Sequence, residues 1–396
     1  MEIPAQQPAF ATRADLLAGL EREALRLGFS RLGVASADSA SRDPRIHAHF
    51  RRWLEEGHAG AMEGWLRQHE PLRRDPRAML EGVRSAIMLA TDHAVQPADA
   101  AAADARPGQG RVARYAWGND YHDLLRRRVN ALAAWLEQAE PGCRTRGFVD
   151  SAPFPEREFA WLAGLGWFGK NTMLIDPMAG SYFLLTVLLT DVELPAAAPI
   201  AVDHCGTCTA CLDACPTDAF VAPRVLDARR CLSAITIEDH GPVPHDLRAA
   251  LGAWVFGCDI CQEVCPWNRH APGSAEPLFQ PRDGHASLPL AELFALDDDA
   301  FRRRFKGTPL VRAKRSGLLR SAAIALGNRP DAASADALIA ALADLDEVVR
   351  GAAAWALGRW RHANAALAAI AHDALVARLP LETDATVRTE IESALR

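Results

Sequence analysis

Apolar residues recur at helical spacing through "TRADLLAGLEREALRLGF" and then close up into "RLGVAS", so residues 12 to 36 predict an amphipathic helix feeding a short strand. A second apolar run, "SAIMLA" at 85 to 90, predicts another strand. A helix over "DYHDLLRRRVNALAAWLEQA" follows, then a strand near "CRTRGFVD", a helix over "EREFAWLAGLG" and an apolar strand at 181 to 191, "SYFLLTVLLTD". Strands alternating with helices over about 190 residues predict a layered α/β or α+β domain whose strand order the pattern leaves open. The tract "QPADAAAADARPGQG" at 96 to 110 is low in complexity and predicts an exposed loop.

The segment "VELPAAAP" predicts a linker into a cysteine-rich region that ends near Pro281. Beyond it the pattern is helical and repetitive. "LLRSAAIALGN" at 318 to 328 and "VVRGAAAWALGR" at 348 to 359 are near copies about 31 residues apart, with a weaker echo in "TVRTEIESALR". Repeats of this size stack as HEAT-like helical pairs whose Ala and Leu positions share a core, with an ordinary helical bundle as the alternative.

Length and composition narrow the class. With 396 residues the chain can hold two or three domains, and 49% hydrophobic residues exclude wholesale disorder. A net charge of -6 argues against a protein that coats nucleic acid along its whole surface. The N-terminal residues show no twin arginine and no apolar signal, and no window approaches 18 apolar residues, so a cytoplasmic protein without a membrane span is expected. There thiols stay reduced, and clustered cysteines predict ligands rather than disulfides. Only Lys170, Lys306 and Lys314 are lysines among 44 basic residues. A compact ammonium suits positions that a planar guanidinium does not, although three positions are few.

The stretch "HCGTCTACLDACPTDAF" carries Cys205, Cys208, Cys211 and Cys215 before Pro216, the run of bacterial ferredoxins. In that pattern three thiolates hold one [4Fe-4S] cluster and the fourth reaches a second. The partner motif, Cys258, Cys261 and Cys265 before Pro266, has Val255 where its leading cysteine would stand, and Cys231 can supply the missing thiolate. One quartet is therefore Cys205, Cys208, Cys211 and Cys265; the other is Cys215, Cys231, Cys258 and Cys261. Two four-thiolate zinc sites would use as many cysteines, but zinc needs no triplet followed by Cys-Pro. Cys143 stands apart as a core thiol. Two adjacent clusters make a wire, whose terminus should lie in the N-terminal region.

Two further features are weighed for chemistry. "GLGWFGKN" matches both G-x-G-x-x-G and G-x4-G-K, yet the preceding spacing is helical, extended chain follows, and Asn171 stands where a P-loop needs Ser or Thr. Nucleotide binding is therefore not expected, and a turn carrying Lys170 and Asn171 remains. Asp150 ends a strand and enters the Pro-rich "DSAPFPERE", where it is either a working carboxylate or a cap for the next helix.

Taken together, "RYAWGNDYH", "DSAPFPERE" with "AGLGWFGKNTMLI", the paired cysteine motifs ending in "CPWNR", and "TPLVRAKRSGLLRSAAIALGN" resemble the epoxyqueuosine reductases, over most of the chain and in order. The resemblance implies a multidomain α+β protein. Residues 1–195 would form a layered α/β cobalamin-binding domain similar to reductive dehalogenases, 196–283 a two-[4Fe-4S] ferredoxin-like domain, and 284–396 HEAT-like repeats that bind tRNA. It implies a base-off cobalamin as terminus of the wire, reduction of epoxyqueuosine to queuosine in tRNA, an external electron donor and a monomer. Asp150 would be the proton donor, its neutral form favoured by burial against the corrin. Arg73, Glu156, Arg157, Lys170 and Asn171, with Asp150, would contact the cofactor or shape its pocket. From Phe301 to Pro330 there are nine basic residues and no acidic one, and Arg302, Arg312, Lys314 and Arg315 are expected on tRNA phosphates. A corrinoid dehalogenase would not explain the basic helical C-terminal region. An RNA-binding electron carrier would leave Asp150 and the Gly-Lys-Asn turn without a task.

Overall fold

The computed structural model describes residues 10–37, 44–95 and 106–396. Its strands are, in chain order, β1 (Arg31–Ser36), β2 (Ser85–Asp92), β3 (Gln109–Val112), β4 (Thr145–Phe148), β5 (Trp167–Phe168), β6 (Leu174–Ile175), β7 (Phe183–Thr190), β8 (Phe220–Ala222), β9 (Val225–Leu226), β10 (Trp254–Phe256) and β11 (Ser287–Pro289).

The main sheet has the order β1-β2-β7-β4, and every neighbouring pair is antiparallel. The layering expected from the sequence is present, but an antiparallel sheet makes the class α+β rather than α/β. Both faces are covered. Ile87 and Leu89 of β2 join Val34 and Leu188 in one core, whereas Ala86, Met88 and Ala90 join Phe159 and Val187 in another. A strand buried on both faces needs no polar alternation, which explains why the run in β2 is unbroken. Helices Arg13–Arg26 and Tyr121–Ala139 cover the first face; helix Glu156–Leu162 covers the second.

A second sheet joins regions far apart in sequence. β3 lies between β10, which runs parallel to it, and β11, which is antiparallel. Gln109 and Gly110, expected in a loop, open β3 because their backbone pairs there with Pro289 and Leu288; residues 96–105 of that expected loop lie outside the described residues. One hydrophobic core continues from Leu16 through Trp254 to Ile391. The three regions expected from the sequence thus share a sheet and a core.

The C-terminal region is helical: Lys314–Asn328, Ala335–Ala340, Glu347–Trp360, Ala365–Arg378 and Ala385–Leu395. Helix Glu347–Trp360 packs between Lys314–Asn328 and Ala385–Leu395. The near copies place a glycine at each crossing. A Cβ on Gly327 would lie 2.7 Å from Trp355 and 2.8 Å from Ala356 Cα, and one on Gly358 would lie 2.7 Å from Ala394 Cβ. The matching arginines are both buried: Arg320 donates to Ile235 O at 2.7 Å and Asp239 O at 2.8 Å, and Arg350 pairs with Glu382 at 2.9 Å. No helix among the described residues is long and apolar enough to cross a membrane.

Gly164 and Gly166 of "GLGWFGKN" lie between helix Glu156–Leu162 and the hairpin β5–β6, and Gly169 lies in the turn of that hairpin, so the glycines do not join a strand to a helix. Gly166 is required by close packing, since a Cβ there would meet Ile175 O at 2.5 Å.

Candidate functional site

A cavity of about 1390 Å³ opens where helices Pro44–Glu55 and Glu63–Arg74, the start of Tyr121–Ala139, the turn after β4, the hairpin β8–β9 and residues 309–312 meet. Trp53 closes one side by donating from Nε1 to Leu226 O at 2.6 Å.

Asp150 leaves the buried end of β4 with φ 45° and projects, exposed, into the cavity. Asp tolerates this left-handed backbone better than most residues. Tyr121, the first residue of its helix, donates its hydroxyl to Asp150 Oδ2 at 2.9 Å. Burial first, and then the charge of Asp150, push the Tyr121 phenol far above its ordinary value, so it remains a donor. Glu156 lines the same wall; burial and the neighbouring Asp150 push its carboxyl up to about 7 against the pull of Arg73 and Arg157. Arg73 donates to Phe154 O at 3.2 Å with its guanidinium 5.1 Å from the Phe50 ring centre, and Arg157 donates to Thr172 O at 2.6 Å. At another wall burial holds the His93 imidazole down at about 4, and its Nδ1 has no partner among the described residues.

The cysteine loops repeat one local design. Short helices Ala210–Asp213 and Ile260–Glu263 follow Cys208 and Cys258, and Cys215 and Cys265 close them by N–H bonds to Leu212 O (3.3 Å) and Gln262 O (3.1 Å). All nine cysteines are free. Their thiols act on one another electrostatically. Burial raises the Cys211 thiol, and Cys265, Cys205 and Cys208 raise it further. Burial likewise raises Cys258, with Cys231 and Cys215 adding to it, and raises Cys261, with Cys258 and Cys231 adding to it. Cys265 thus lies within electrostatic reach of Cys211, and Cys215 of Cys258, while Cys211 also adds to the shift at Cys261, so the two cysteine loops face each other. No three His, Cys, Asp or Glu side chains among the described residues converge as a site for a single metal ion. Cys208 is exposed, whereas Asp259 and Gln262, flanking Cys261, line the cavity. The loop of Cys258 and Cys261 therefore lies at the cavity, and Cys208 at the solvent side.

Residues 73–151 match the family model described as epoxyqueuosine reductase QueG, DUF1730, and residues 204–268 match that of the 4Fe-4S double cluster binding domain. An epoxyqueuosine reductase from Pseudomonas aeruginosa is 43% identical over 335 residues, 84% of this chain and 91% of its own length. That from Escherichia coli is 40% identical over 308 residues, covering 77% and 79%. The chain belongs to the epoxyqueuosine reductase family. Its chemistry is that of an oxidoreductase. A crystal structure of an epoxyqueuosine reductase with an epoxyqueuosine-modified tRNA-Tyr stem loop superposes with a TM-score of 0.87 at 29% identity, over 97% of this chain and 99% of the other. The Bacillus subtilis enzyme with its catalytic aspartate loop swung out of the active site gives 0.86 at 29% identity over the same shares.

Among the residues singled out for this epoxyqueuosine reductase, Arg73, Asp150, Glu156, Arg157 and Arg312 meet at the cavity. Lys170 and Asn171 do not line it; the β5–β6 turn directs them at the cysteine loops, where Lys170 bonds Gly206 O and Asn171 bonds Cys261 O. Asp150 is exposed in the open cavity, on the side where the expected corrin would cover it. The basic segment is less free than its sequence suggested, because folding supplies carboxylates from elsewhere. Arg302 pairs with Asp299 at 2.6 Å, Arg312 with Glu238 at 2.8 Å, and Arg315, half-buried, with Asp344. Arg303, Lys306 and Lys314 are exposed with no ion pair among the described residues, and Lys314 holds φ 58° and ψ 170°, a region that side chains rarely occupy. Sequence reasoning missed Tyr121, His93 and Glu238. Only Tyr121 left a signal, as the second tyrosine of "RYAWGNDYH".

Proposed function

We propose that this chain reduces epoxyqueuosine to queuosine in tRNA, with a base-off cobalamin in the cavity and one [4Fe-4S] cluster on each cysteine quartet. The observation that carries this reading is that Asp150, the loop of Cys258 and Cys261, and Arg312 of the basic segment all open onto one cavity. Its volume of about 1390 Å³ exceeds the ~300–1,000 Å³ of ordinary ligand pockets, as a corrin together with a nucleoside requires. Arg73 and Glu156 would flank the corrin, with Arg157 at the same wall.

When bound, the clusters supply electrons one at a time and the corrin supplies reduced cobalt to the epoxide. The chain's residues do the rest. Tyr121 occupies Oδ2 of Asp150 and so leaves Oδ1 to carry the proton toward the substrate oxygen. Two electrons and two protons enter, and the oxygen leaves as water. The quartet with the exposed Cys208 would hold the cluster accessible to an external electron donor, and the quartet of Cys258 and Cys261 the cluster nearer the cavity. Arg302, Arg312, Lys314 and Arg315 remain the proposed tRNA contacts; Arg312 reaches both surfaces, whereas Arg315 acts through its pair with Asp344. The working division is 1–195 for the cofactor, 196–283 for the clusters and 284–396, as HEAT-like repeats, for tRNA. The protein would act as a cytoplasmic monomer, where its tRNA is. An absorption spectrum of anaerobically reconstituted protein titrated with cobalamin, before and after reductant, tests the cofactor; a corrin spectrum unchanged by the protein would contradict it.

A further inference from the structure

The Gly-Lys-Asn turn, which the cavity does not use, is joined to both cysteine loops. Lys170 Nζ donates to Gly206 O at 2.7 Å and to Cys208 O at 2.8 Å, two carbonyls of the loop that carries Cys205 and Cys208. The next side chain, Asn171, is 2% exposed and donates from Nδ2 to Cys261 O at 3.2 Å, on the loop of the other quartet. The turn that presents them is internally closed by Gly169 N to Met173 O at 2.8 Å and Thr172 N to Gly169 O at 2.9 Å. Asn171 Oδ1 accepts from Met173 N at 3.2 Å, which directs the amide nitrogen outward. Lys170 O accepts from Arg224 N at 2.9 Å, so the lysine is also held from behind.

Two carbonyls converging on one nitrogen suit an ammonium; a planar guanidinium would spread its donors apart. In a chain with three lysines and 41 arginines this is the one lysine whose geometry asks for that head group. A fixed positive charge on the backbone of a cluster-binding loop favours the state with one more electron, because reduction adds a negative charge at the iron and sulfide.

We propose that Lys170 is a positioning residue that raises the reduction potential of the cluster on Cys205, Cys208, Cys211 and Cys265, while Asn171 ties the same turn to the second cluster's loop. The proposal rests on the two-cluster reading. The step it affects is uptake of one electron from an external low-potential donor, with no bond made or broken. Lys170 thereby keeps the solvent-side site reducible by its donor.

The test is a potentiometric titration followed by EPR, on the anaerobically reconstituted full chain without tRNA or cobalamin. Lys170→Gln should make one of the two one-electron equilibria about tenfold less favourable, ~59 mV lower, and leave the other in place at full iron content. Lys170→Arg, which keeps the charge, should recover most of the shift. Both potentials unchanged in Lys170→Gln at full iron would overturn the proposal. Lys170→Met is the second neutral variant. Loss of iron in both neutral variants, with full iron in Lys170→Arg, would also overturn it, since the charge would then hold the site rather than set its potential. A wild-type chain without two clusters would contradict the cluster reading itself, not the role of Lys170.

Discussion

At Asp150 the chain leaves β4 in the left-handed region and meets the Tyr121 hydroxyl at 2.9 Å, so one carboxylate oxygen is fixed and the other faces the cavity. Asp150→Asn should retain iron and cofactor and lose turnover, because the amide has no acidic proton to give. Tyr121→Phe should keep both and slow single turnover roughly 10- to 100-fold by releasing that orientation. Rapid-quench analysis of the nucleoside checks both, and an active Asn variant would contradict the proton-donor role. Glu156 gives a prediction with the opposite sign to an ordinary salt-bridged carboxylate. Its folded value of about 7 lies above the usual 4.5, so the folded state binds the extra proton between those pH values and stability falls as pH rises through that window. Glu156→Gln should therefore gain melting temperature relative to wild type at pH 8 more than at pH 5; equal differences at both pH values would contradict it. The cysteine spacing made the paired Cys-Pro motifs legible as a double-cluster domain, the family whose model matches residues 204–268. Tyr121 was not legible as a partner of Asp150, because the contact is made across 29 residues by the meeting of a helix start and a strand end.

Helices show the same contrast between what periodicity reveals and what it hides. The repeat of Lys314–Asn328 in Glu347–Trp360 was visible because its Ala and Leu positions build a core. Helices Pro44–Glu55 and Glu63–Arg74, which form a wall of the cavity, were missed. Only Leu54 of the first is buried and none of the second, and Pro71 interrupts the second. Their apolar side chains Phe50, Trp53 and Leu66 line a cavity rather than a core, so the usual buried stripe is thin. The near copies also place glycine where one repeat helix crosses the next. Gly358→Leu would force side-chain atoms into Ala394 and should cost about 1–3 kcal/mol of stability. Chemical denaturation measures it; an unchanged midpoint would contradict the close crossing.

Over the whole molecule, β3 between β10 and β11, and a core shared from Leu16 to Ile391, hold the N-terminal, cysteine-rich and helical regions together. The helical character of the C-terminal region was legible from its repeating pattern, but the stitching between regions was not, because a short strand such as Gln109–Val112 carries too few residues to announce its partners. The basic segment changed most. The absence of acidic residues between 301 and 330 suggested a free strip, whereas carboxylates from Glu238, Glu292 and Asp344 reach it in space. Replacing Lys306 and Lys314 by Ala should therefore weaken tRNA binding and reduce the slope of log affinity against log salt by about two. Arg315→Ala should instead lower stability through Asp344. A salt slope left unchanged by the lysine variants would move the tRNA surface elsewhere.

The most direct test of the central claim is a single turnover of anaerobically reconstituted protein with cobalamin, a low-potential reductant and tRNA carrying epoxyqueuosine, followed by mass analysis of the released nucleosides. Conversion to queuosine, lighter by one oxygen and absent with Asp150→Asn, is the predicted result. Unchanged epoxyqueuosine from protein that carries both clusters and the corrin would contradict it.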